Sequence, residues 1–346
     1  MTETESIALK NIRFPLIVLV VLVHTNLGVH IDSHFYSYFE RFFRSFSHMA
    51  VPTFFLISGY LFFKSVNKCT CSIYKSKIKR RIPTLLVPYL LWNLLYLLFL
   101  LLLQVYAPSL VSNERKRIVD YTFGELLNSF WNFGGVYYGM PILYSFWYIR
   151  DLIVMCICSP IIYWAIKKLG ALYLCALSLV FVFNPFSFKA TDMDWVKAVF
   201  FFSFGAWLGI NKKSFQLPNR LVLLISIIWS FTIIMKVFVV KTFWSNQILL
   251  IVSALVLPIL FTWYTKCYKK ESSNSLASSV MFVYGFHLFC IMLFNKYWNF
   301  LLPVNGLTAS IALLTIPLLT SYFCVFVYYI SKKMMPVFVG ILTGGR

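Results

Sequence analysis

Long runs of apolar residues fill most of this sequence of 346 residues and decide what it can fold into. A helix needs about 20 mostly apolar residues to cross a bilayer whose hydrocarbon core is roughly 30 Å thick. Runs of this kind predict an all-α fold: a polytopic membrane helix bundle of about ten transmembrane helices. We expect one transmembrane domain over residues 1–346. The predicted spans are 12–31, 46–64, 83–106, 144–166, 170–187, 195–210, 219–240, 246–264, 276–294 and 306–330.

The distribution of charge predicts how these helices are oriented. Only 12% of the residues are charged and the mean hydropathy is +0.79, yet the formal net charge is +20. If the N-terminus is cytoplasmic, most of the 31 lysines and arginines fall in the inner loops and tails. This is the positive-inside pattern of membrane proteins, so we expect both termini in the cytoplasm and no nucleic-acid partner. We expect no cleavable signal peptide before the first span, which is itself the expected insertion signal.

Two ionisable residues, Arg13 and His24, begin and end the segment RFPLIVLVVLVH of the first predicted span. Eleven residues of α-helix turn through three full turns plus about 20° and rise about 16 Å, so the two side chains share a helix face. Ionisable groups at membrane depth usually face a polar cavity that serves the function. The spacing therefore predicts a pathway lined by Arg13 and His24, with His24 well inside the membrane.

Histidine is the ionisable residue best placed for chemistry inside the predicted bundle. No acidic residue falls deep in a predicted span, which disfavours a proton-coupled transporter built on intramembrane carboxylates. An uncharged imidazole can accept a proton from a hydroxyl group, so His24 is a candidate general base for acyl transfer to an alcohol. His287, in the middle of the ninth span, is a secondary candidate, because a lone intramembrane histidine often only bonds a neighbouring helix. We assign no metal site and no disulfide.

A basic segment precedes the third span. Such clusters bind anionic lipid headgroups, but a polyanionic cytoplasmic ligand such as coenzyme A needs the same kind of site. The residues leave both interpretations open, and Lys77, Arg80 and Arg81 are the candidate donor-binding residues. The whole segment contains Lys64, Lys68, Lys75, Lys77, Lys79, Arg80 and Arg81.

Aromatic and charged residues also gather on the predicted outer side. Arg150 and Asp151 lie together at the edge of the fourth span, either as a structural ion pair or, with Trp147 and Tyr148, as contacts to an acceptor. In the preceding loop, the exposed aromatic residues either stack on sugars or lie at the membrane interface. These loop residues are Trp131, Tyr137 and Tyr138.

Two further patterns concern local structure. Phenylalanines recur every three or four residues around the segment 32–45, which indicates a short interfacial helix. Small residues at Ser58 and Gly59 allow close approach of either another helix backbone or a slender ligand. A second small-residue motif, FSFGAWLG, lies in the sixth span.

Taken in order, these motifs resemble the acyltransferase-3 family of integral-membrane acyltransferases, which includes O-acetyltransferases of bacterial surface polysaccharides. The resemblance is carried by the Arg13–His24 spacing and by the segments VPTFFLISGYLF, RRIPTLLVPYLLWN, FWYIRDL, FFSFGAWLG and VYGFHLF. It implies that His24 is catalytic and that Arg13 belongs to the donor route. The family's pair of arginines three apart maps onto Arg81, but Thr84 occupies the second position, while Lys77 and Arg80 keep a basic pair at that spacing.

The resemblance implies transfer of an acyl group, with acetyl as the expected one, from cytoplasmic acyl-CoA to a glycan or glycolipid hydroxyl at the outer side of the bacterial inner membrane. Acetyl-CoA would then be a co-substrate rather than a bound cofactor, and the partners would be a glycan or lipid-linked glycan and the membrane lipids. The alternative is a transporter or flippase of a glycan or lipid intermediate, in which Arg13 and His24 line a conduit and no bond is made. Consumption of acetyl-CoA distinguishes the two.

Overall fold

The computed structural model describes residues 1–66, 68–108, 116–134, 139–239, 242–268 and 274–345. Helices make up 81% of the described residues, which contain no strand, so the predicted all-α class is confirmed. In chain order the α-helices are α1 (Glu3–Asn11), α2 (Arg13–Val23), α3 (His34–Ser47), α4 (Ala50–Phe63), α5 (Cys71–Arg81), α6 (Val87–Tyr106), α7 (Phe123–Ser129), α8 (Trp147–Ile157), α9 (Ser159–Leu169), α10 (Ala171–Phe183), α11 (Ala190–Ile210), α12 (Asn219–Ile234), α13 (Phe243–Tyr268), α14 (Asn274–Leu301), α15 (Gly306–Met334) and α16 (Pro336–Leu342).

Among the described residues, eight helical segments are long and apolar enough to cross a membrane, or nine if α8 and α9 together form one span. The polytopic helix bundle is thus confirmed, whereas the count of about ten is not, and the orientation of the termini stays a prediction. The predicted span 144–166 is interrupted at Cys158, because Pro160 lacks the N–H that would continue the helix. The predicted span 170–187 contains only α10, with 13 residues, which ends at Asn184 in the left-handed conformation.

The first span lies nearer the N-terminus than predicted. It comprises α1 and α2 and covers Glu3–Val23 rather than residues 12–31. Its start is anchored by Glu5, which is only 1% exposed. One Glu5 carboxylate oxygen accepts hydrogen bonds from the Tyr60 hydroxyl at 2.8 Å and from the Phe215 backbone N–H at 2.9 Å. The polar first residues are therefore part of the folded structure.

The helices group into two compact units. The first unit contains residues 1–69 and 159–330, and the second contains residues 70–158 and 331–346. The prediction of a single domain over residues 1–346 stays a prediction.

In the first unit, α4 and α11 pack backbone to backbone through glycines. A Cβ atom at Gly59 would overlap the carbonyl group of Phe202, and one at Gly205 would overlap the carbonyl group of Leu56. Only glycine permits this approach, since any side chain would displace a backbone atom. Of the two interpretations of the small residues around Gly59, the structure supports helix packing.

The remaining helices of the first unit surround this pair. α2 packs against α3, α4 and α14, and α13 packs against α1, α4 and α12. The helix predicted from the phenylalanine spacing is confirmed as α3, which begins after Ser33, whose side chain accepts a hydrogen bond from the Tyr36 backbone N–H at 3.3 Å. α3 and α14 both contact α2, and together they position the residues at its C-terminal end.

In the second unit, α5 continues into α6 through a π-helical turn, Ile82–Leu86. Pro83 has no N–H, so the hydrogen-bond pattern shifts and the Val87 N–H bonds the Ile82 carbonyl. The indole N–H of Trp92 donates to the Leu342 carbonyl at 3.1 Å and joins α6 to α16. The π-helical turn thus joins the basic helix α5 to the apolar helix α6, and the Trp92 hydrogen bond joins α6 to α16.

A charged group also orders the start of α7 in the second unit. Glu125 forms a capping box with Thr122 and accepts hydrogen bonds from the Lys116 ammonium group at 2.8 Å. The hydrogen bond from Lys116 and those from Thr122 lower the pKa of Glu125 to about 2. The cap therefore stays intact until the pH falls toward that value, below which protonation removes its contribution.

The glycine contact between α4 and α11 generates the first prediction. Replacing Gly205→Ala should cost about 1–3 kcal/mol of stability, because the added methyl group meets a backbone carbonyl that cannot turn away. Thermal unfolding of the purified protein in detergent, followed by size-exclusion chromatography, measures the loss. Gly124→Ala in α7 is the matched control, since a Cβ there meets no atom within 4 Å. Equal unfolding temperatures for the two variants would contradict the proposed packing.

Candidate active site

α2 ends at the candidate catalytic histidine. The helix runs from Arg13 to Val23, and His24 follows as its C-terminal cap, with φ −90° and ψ −1°. The prediction of a helix that continues to residue 31 is wrong: α2 ends at Val23, and a turn in which the Asn26 side chain accepts the Gly28 N–H at 2.9 Å leads the chain away. Gly28 has a φ of +70°, which glycine adopts without strain. His24 thus lies at a helix end with its side chain half-buried.

The guanidinium group of Arg44, on α3, satisfies the carbonyl groups at this helix end. The last carbonyls of a helix lack intrahelical partners and attract a cation. The three acceptors flank His24 in sequence: they are the carbonyl oxygens of Leu22 at 3.1 Å, Val23 at 2.8 Å and Thr25 at 2.7 Å. Arg44 therefore fixes the backbone on both sides of the histidine.

Glu40 holds Arg44 in this position. It lies one turn earlier on α3, and its Oε1 accepts hydrogen bonds from Arg44 Nε at 3.2 Å and Nη2 at 3.1 Å. Both side chains are only partly exposed, at 23% for Arg44 and 34% for Glu40. The ion pair thus leaves the guanidinium little freedom to turn away from α2.

A second histidine faces His24 across the helix interface. The rings of His24 and His287 have centroids 5.2 Å apart and planes inclined by 35°. His287 is fully buried on α14, the helix that packs against α2. The two candidates that the sequence places 263 positions apart are therefore brought into one site.

The backbone of α14 determines the tautomer of His287. Its Nδ1 lies 2.9 Å from the Tyr284 carbonyl oxygen and 3.2 Å from that of Val283. A carbonyl cannot donate, so Nδ1 carries the proton in these hydrogen bonds. In the neutral ring, Nε2 then has the free lone pair, and this buried atom has no hydrogen-bond partner among the described residues. His287 thus presents an unused acceptor beside His24.

Arg13 lies at the opposite end of α2 from His24 and is also half-buried. α2 is a continuous α-helix from Arg13 to Val23, and its eleven residues span about 16 Å, so Arg13 and His24 lie at opposite ends of α2. His24 belongs to the histidine pair, whereas Arg13 marks the far end of the helix. A pathway lined by both side chains stays a prediction.

The candidate donor-binding residues lie at the C-terminal end of α5, in the second unit. Arg80 is exposed, while Lys77 and Arg81 are half-buried one turn apart on the side of α5 that meets α8. Both are near enough for their charges to act on the buried thiol of Cys156. Lys77 and Arg81 therefore have a more protected position than the neighbouring lysines. Their role in donor binding stays a prediction.

The predicted acceptor-side residues begin α8 in the second unit. Arg150 and Asp151 form a buried ion pair with Nε and Oδ1 2.8 Å apart. Arg150 Nη1 also donates to the carbonyls of Trp131 at 2.7 Å and Gly139 at 2.6 Å, so these contacts fasten the preceding loop. Trp147 is half-buried and Tyr148 is buried.

An acceptor role for Trp147, Tyr148, Arg150 and Asp151 stays a prediction. The Trp131 ring is 50% exposed and lies beneath the Arg150 guanidinium, 5.1 Å from the ring centroid. The other two loop aromatics, Tyr137 and Tyr138, lie outside the described residues.

The sequence does not predict that Arg44 contacts the end of α2. The phenylalanine pattern places Arg44 in an amphipathic outer helix, and nothing in its spacing from His24 indicates that its side chain reaches α2. The one available signal was that Glu40 and Arg44 stand four residues apart, which favours a pair on one helix face. That pairing does not reveal the second contact, which depends on how α2 ends.

A known protein family matches nearly the whole chain. A family model described as an acyltransferase domain matches residues 6–330. No curated protein matches the chain. No solved structure matches it either. The matched range includes the histidine pair, Arg44 and the basic residues of α5.

The contacts of Arg44 generate the second prediction. Arg44→Ala should open the end of α2, because each hydrogen bond to a charged group contributes about 1.5–3 kcal/mol. Amide hydrogen exchange of His24 and Thr25, whose N–H groups bond the Val21 and Leu22 carbonyls, should accelerate about ten-fold or more. Arg41→Ala is the matched control on the same helix. Unchanged exchange in Arg44→Ala would show that the guanidinium does not hold this turn.

Proposed function

Because the chain belongs to the acyltransferase-3 family, we propose that it transfers an acetyl group from cytoplasmic acetyl-CoA to a hydroxyl group of a surface glycan or glycolipid. The family and the apolar helices make it a multi-pass membrane acyltransferase. We place the reaction in the bacterial inner membrane, with the acceptor on the outer side. The observation that carries the proposal is the pair formed by His24 and His287 at the end of α2.

His24 acts as the general base in this reaction. It accepts the proton of the acceptor hydroxyl as the oxygen attacks the carbonyl carbon of the thioester. The new carbon–oxygen bond forms, the carbon–sulfur bond breaks, and the departing thiolate takes the proton back from His24. The charges balance over the cycle, and the step requires no group beyond the two substrates and the imidazole.

The tautomer of His287 lets it assist His24 as the general base. With Nδ1 donating to backbone carbonyls, Nε2 can only accept a hydrogen bond while the ring is neutral. When His24 becomes an imidazolium during the reaction, a small turn of its ring lets one N–H donate to this atom. His287 is thus a positioning residue that stabilises the protonated form of His24, while Arg44 fixes the backbone that carries it.

Donor binding is assigned to cationic side chains. Coenzyme A carries several phosphate charges, which lysine and arginine bind through charge-assisted hydrogen bonds. Lys77, Arg80 and Arg81 supply such groups on α5, and Arg13 supplies one at the start of α2. We propose that Lys77 and Arg81, which are half-buried, contribute more than the exposed lysines beside them.

Replacing the base tests the catalytic assignment. His24→Ala should reduce acylation by about 10²- to 10⁴-fold, the usual cost of removing a general base, without loss of the folded protein from the membrane. Mass spectrometry of surface glycans from cells that express each variant measures the product. His30→Ala, an exposed histidine in the following loop, should leave acylation unchanged. Near-normal acylation by His24→Ala would refute the assignment.

Two double variants with equal charge changes test the donor site. In Lys77→Ala/Arg81→Ala, the affinity of the purified protein for coenzyme A should fall about ten-fold or more, since each charged contact contributes roughly 1.5–3 kcal/mol. Lys75→Ala/Lys79→Ala removes two exposed charges of the same helix and should have a much smaller effect. Isothermal titration calorimetry gives both affinities. Equal losses would indicate a diffuse lipid-binding surface instead of a site for the donor.

A further inference from the structure

Two adjoining polar cavities lie within the first unit. The larger has a volume of about 640 Å³ and the smaller about 250 Å³. His48 and Lys236 line both of them, so the two volumes meet at these side chains. The larger cavity alone is in the range of roughly 300–1,000 Å³ that is typical of small-molecule sites. None of its lining residues belongs to the histidine pair.

The lining is cationic overall. Lys197 and Lys236 line the larger cavity, and Arg41 and Arg44 line the smaller one, against two carboxylates, Asp194 and Glu40. Asp194 pairs with Lys197 at 2.6 Å, and Glu40 pairs with Arg44 at 3.1 Å. The ammonium group of Lys236 contacts the side-chain oxygen of Asn246. The carboxylates therefore balance two of the four cations, and the excess of positive charge favours an anion.

Two polar groups in the lining lack partners within the described residues. Nη1 of Arg41 is a buried donor with no hydrogen-bond acceptor, and the side-chain oxygen of Gln247 is buried without a donor. Gln247 is only 5% exposed. A buried polar group without a partner costs about 1–3 kcal/mol, which a ligand can recover. An anionic oxygen suits Arg41, while a hydroxyl group suits either orientation of the amide of Gln247, because it both donates and accepts.

The smaller cavity is connected to the candidate active site through Arg44. This side chain lines the cavity and also donates to the carbonyls of Leu22, Val23 and Thr25. One side chain thus separates the cavity from the backbone that holds His24. A ligand in the smaller cavity therefore contacts the side chain that holds the backbone on both sides of His24.

We propose that the two cavities bind the acceptor of the acyl group and that this acceptor is an acidic saccharide. Its carboxylate or phosphate contacts Arg41 and Lys236, its hydroxyl groups reach Gln247, and one further hydroxyl extends past Arg44 to His24. This inference rests on the proposed function and specifies its acceptor. A neutral sugar would leave the excess cations unpaired, so the site discriminates against it.

Three forms of one sugar test the proposal: glucose, glucuronate and glucose 6-phosphate. Their binding to the full-length protein in phosphatidylcholine nanodiscs is measured by saturation-transfer NMR, without an acyl donor. The two acidic sugars should bind at least about ten-fold more tightly than glucose, as expected when an anion meets desolvated cations. Equal binding of all three sugars would overturn the proposal.

Variants locate the preference in the cavity. Lys236→Gln and Arg41→Gln should each remove most of the preference for the acidic sugars, whereas Lys236→Arg, which keeps the charge, should retain it. Lys266→Gln makes the same charge change at an exposed position of α13, the helix of Gln247, and is the matched control. A preference that survives both cavity variants, or that Lys266→Gln removes, would place the anion elsewhere and overturn the proposal.

Two further measurements separate the alternatives. Nanodiscs that contain phosphatidylglycerol present an anionic headgroup, and if they abolish binding of the acidic sugars, the cavity takes lipid and the proposal fails.

Binding is also measured with His24→Ala, which should keep the preference. If the wild-type protein prefers acidic sugars but transfers no acyl group, the proposed function fails and the binding site stands. If acylation occurs without any such preference, only the present inference fails.

Discussion

The candidate site depends on how the last carbonyl groups of α2 are satisfied. A helix that ends inside a protein leaves several carbonyls without partners, and each one that stays unsatisfied is costly where water is scarce. Here the guanidinium of Arg44 bonds the carbonyls of Leu22, Val23 and Thr25 and is itself held by Glu40. The helix can therefore stop at Val23, which leaves His24 outside the regular helical pattern but fixed at its backbone. The position of His24 follows from this cap.

The sequence predicted the helices well and their ends less well. Apolar runs identify α13, α14 and α15 because each exceeds the length that a bilayer requires, and they identify α12 because it reaches 21 residues together with the π-helical turn Met235–Val239 that follows it. They do not reveal where a helix stops early, since this depends on local chemistry: the Asn26–Gly28 turn after α2, Pro160 in α9 and the left-handed Asn184 after α10. The N-terminal segment was misplaced for a related reason. Glu5 looks like a solvated charge, and only the tertiary contacts with Tyr60 and Phe215 show why it is buried.

The sequence identifies residues of the candidate site but does not reveal which of them are in contact. The spacing of Arg13 and His24 and the position of His287 in an apolar run are visible in the sequence, because ionisable residues are rare in such runs. Their roles separate only in three dimensions, where α14 brings His287 to His24 and leaves Arg13 at the other end of α2. For the same reason, the sequence does not predict the two cavities lined by His48 and Lys236. Their lining comes from α3, α11, α13 and the segment after α12, which no periodicity relates.

The fixed tautomer of His287 has a bioenergetic consequence. A chain of histidines through a membrane protein can conduct protons only if each ring releases a proton on one side and takes one up on the other. The Nδ1 proton of His287 is held by two carbonyls of its own helix, in a fully buried position. His287 therefore cannot pass a proton from His24 onward through its Nδ1. Under the proposed function, acid–base chemistry at the pair would leave a proton gradient across the membrane intact.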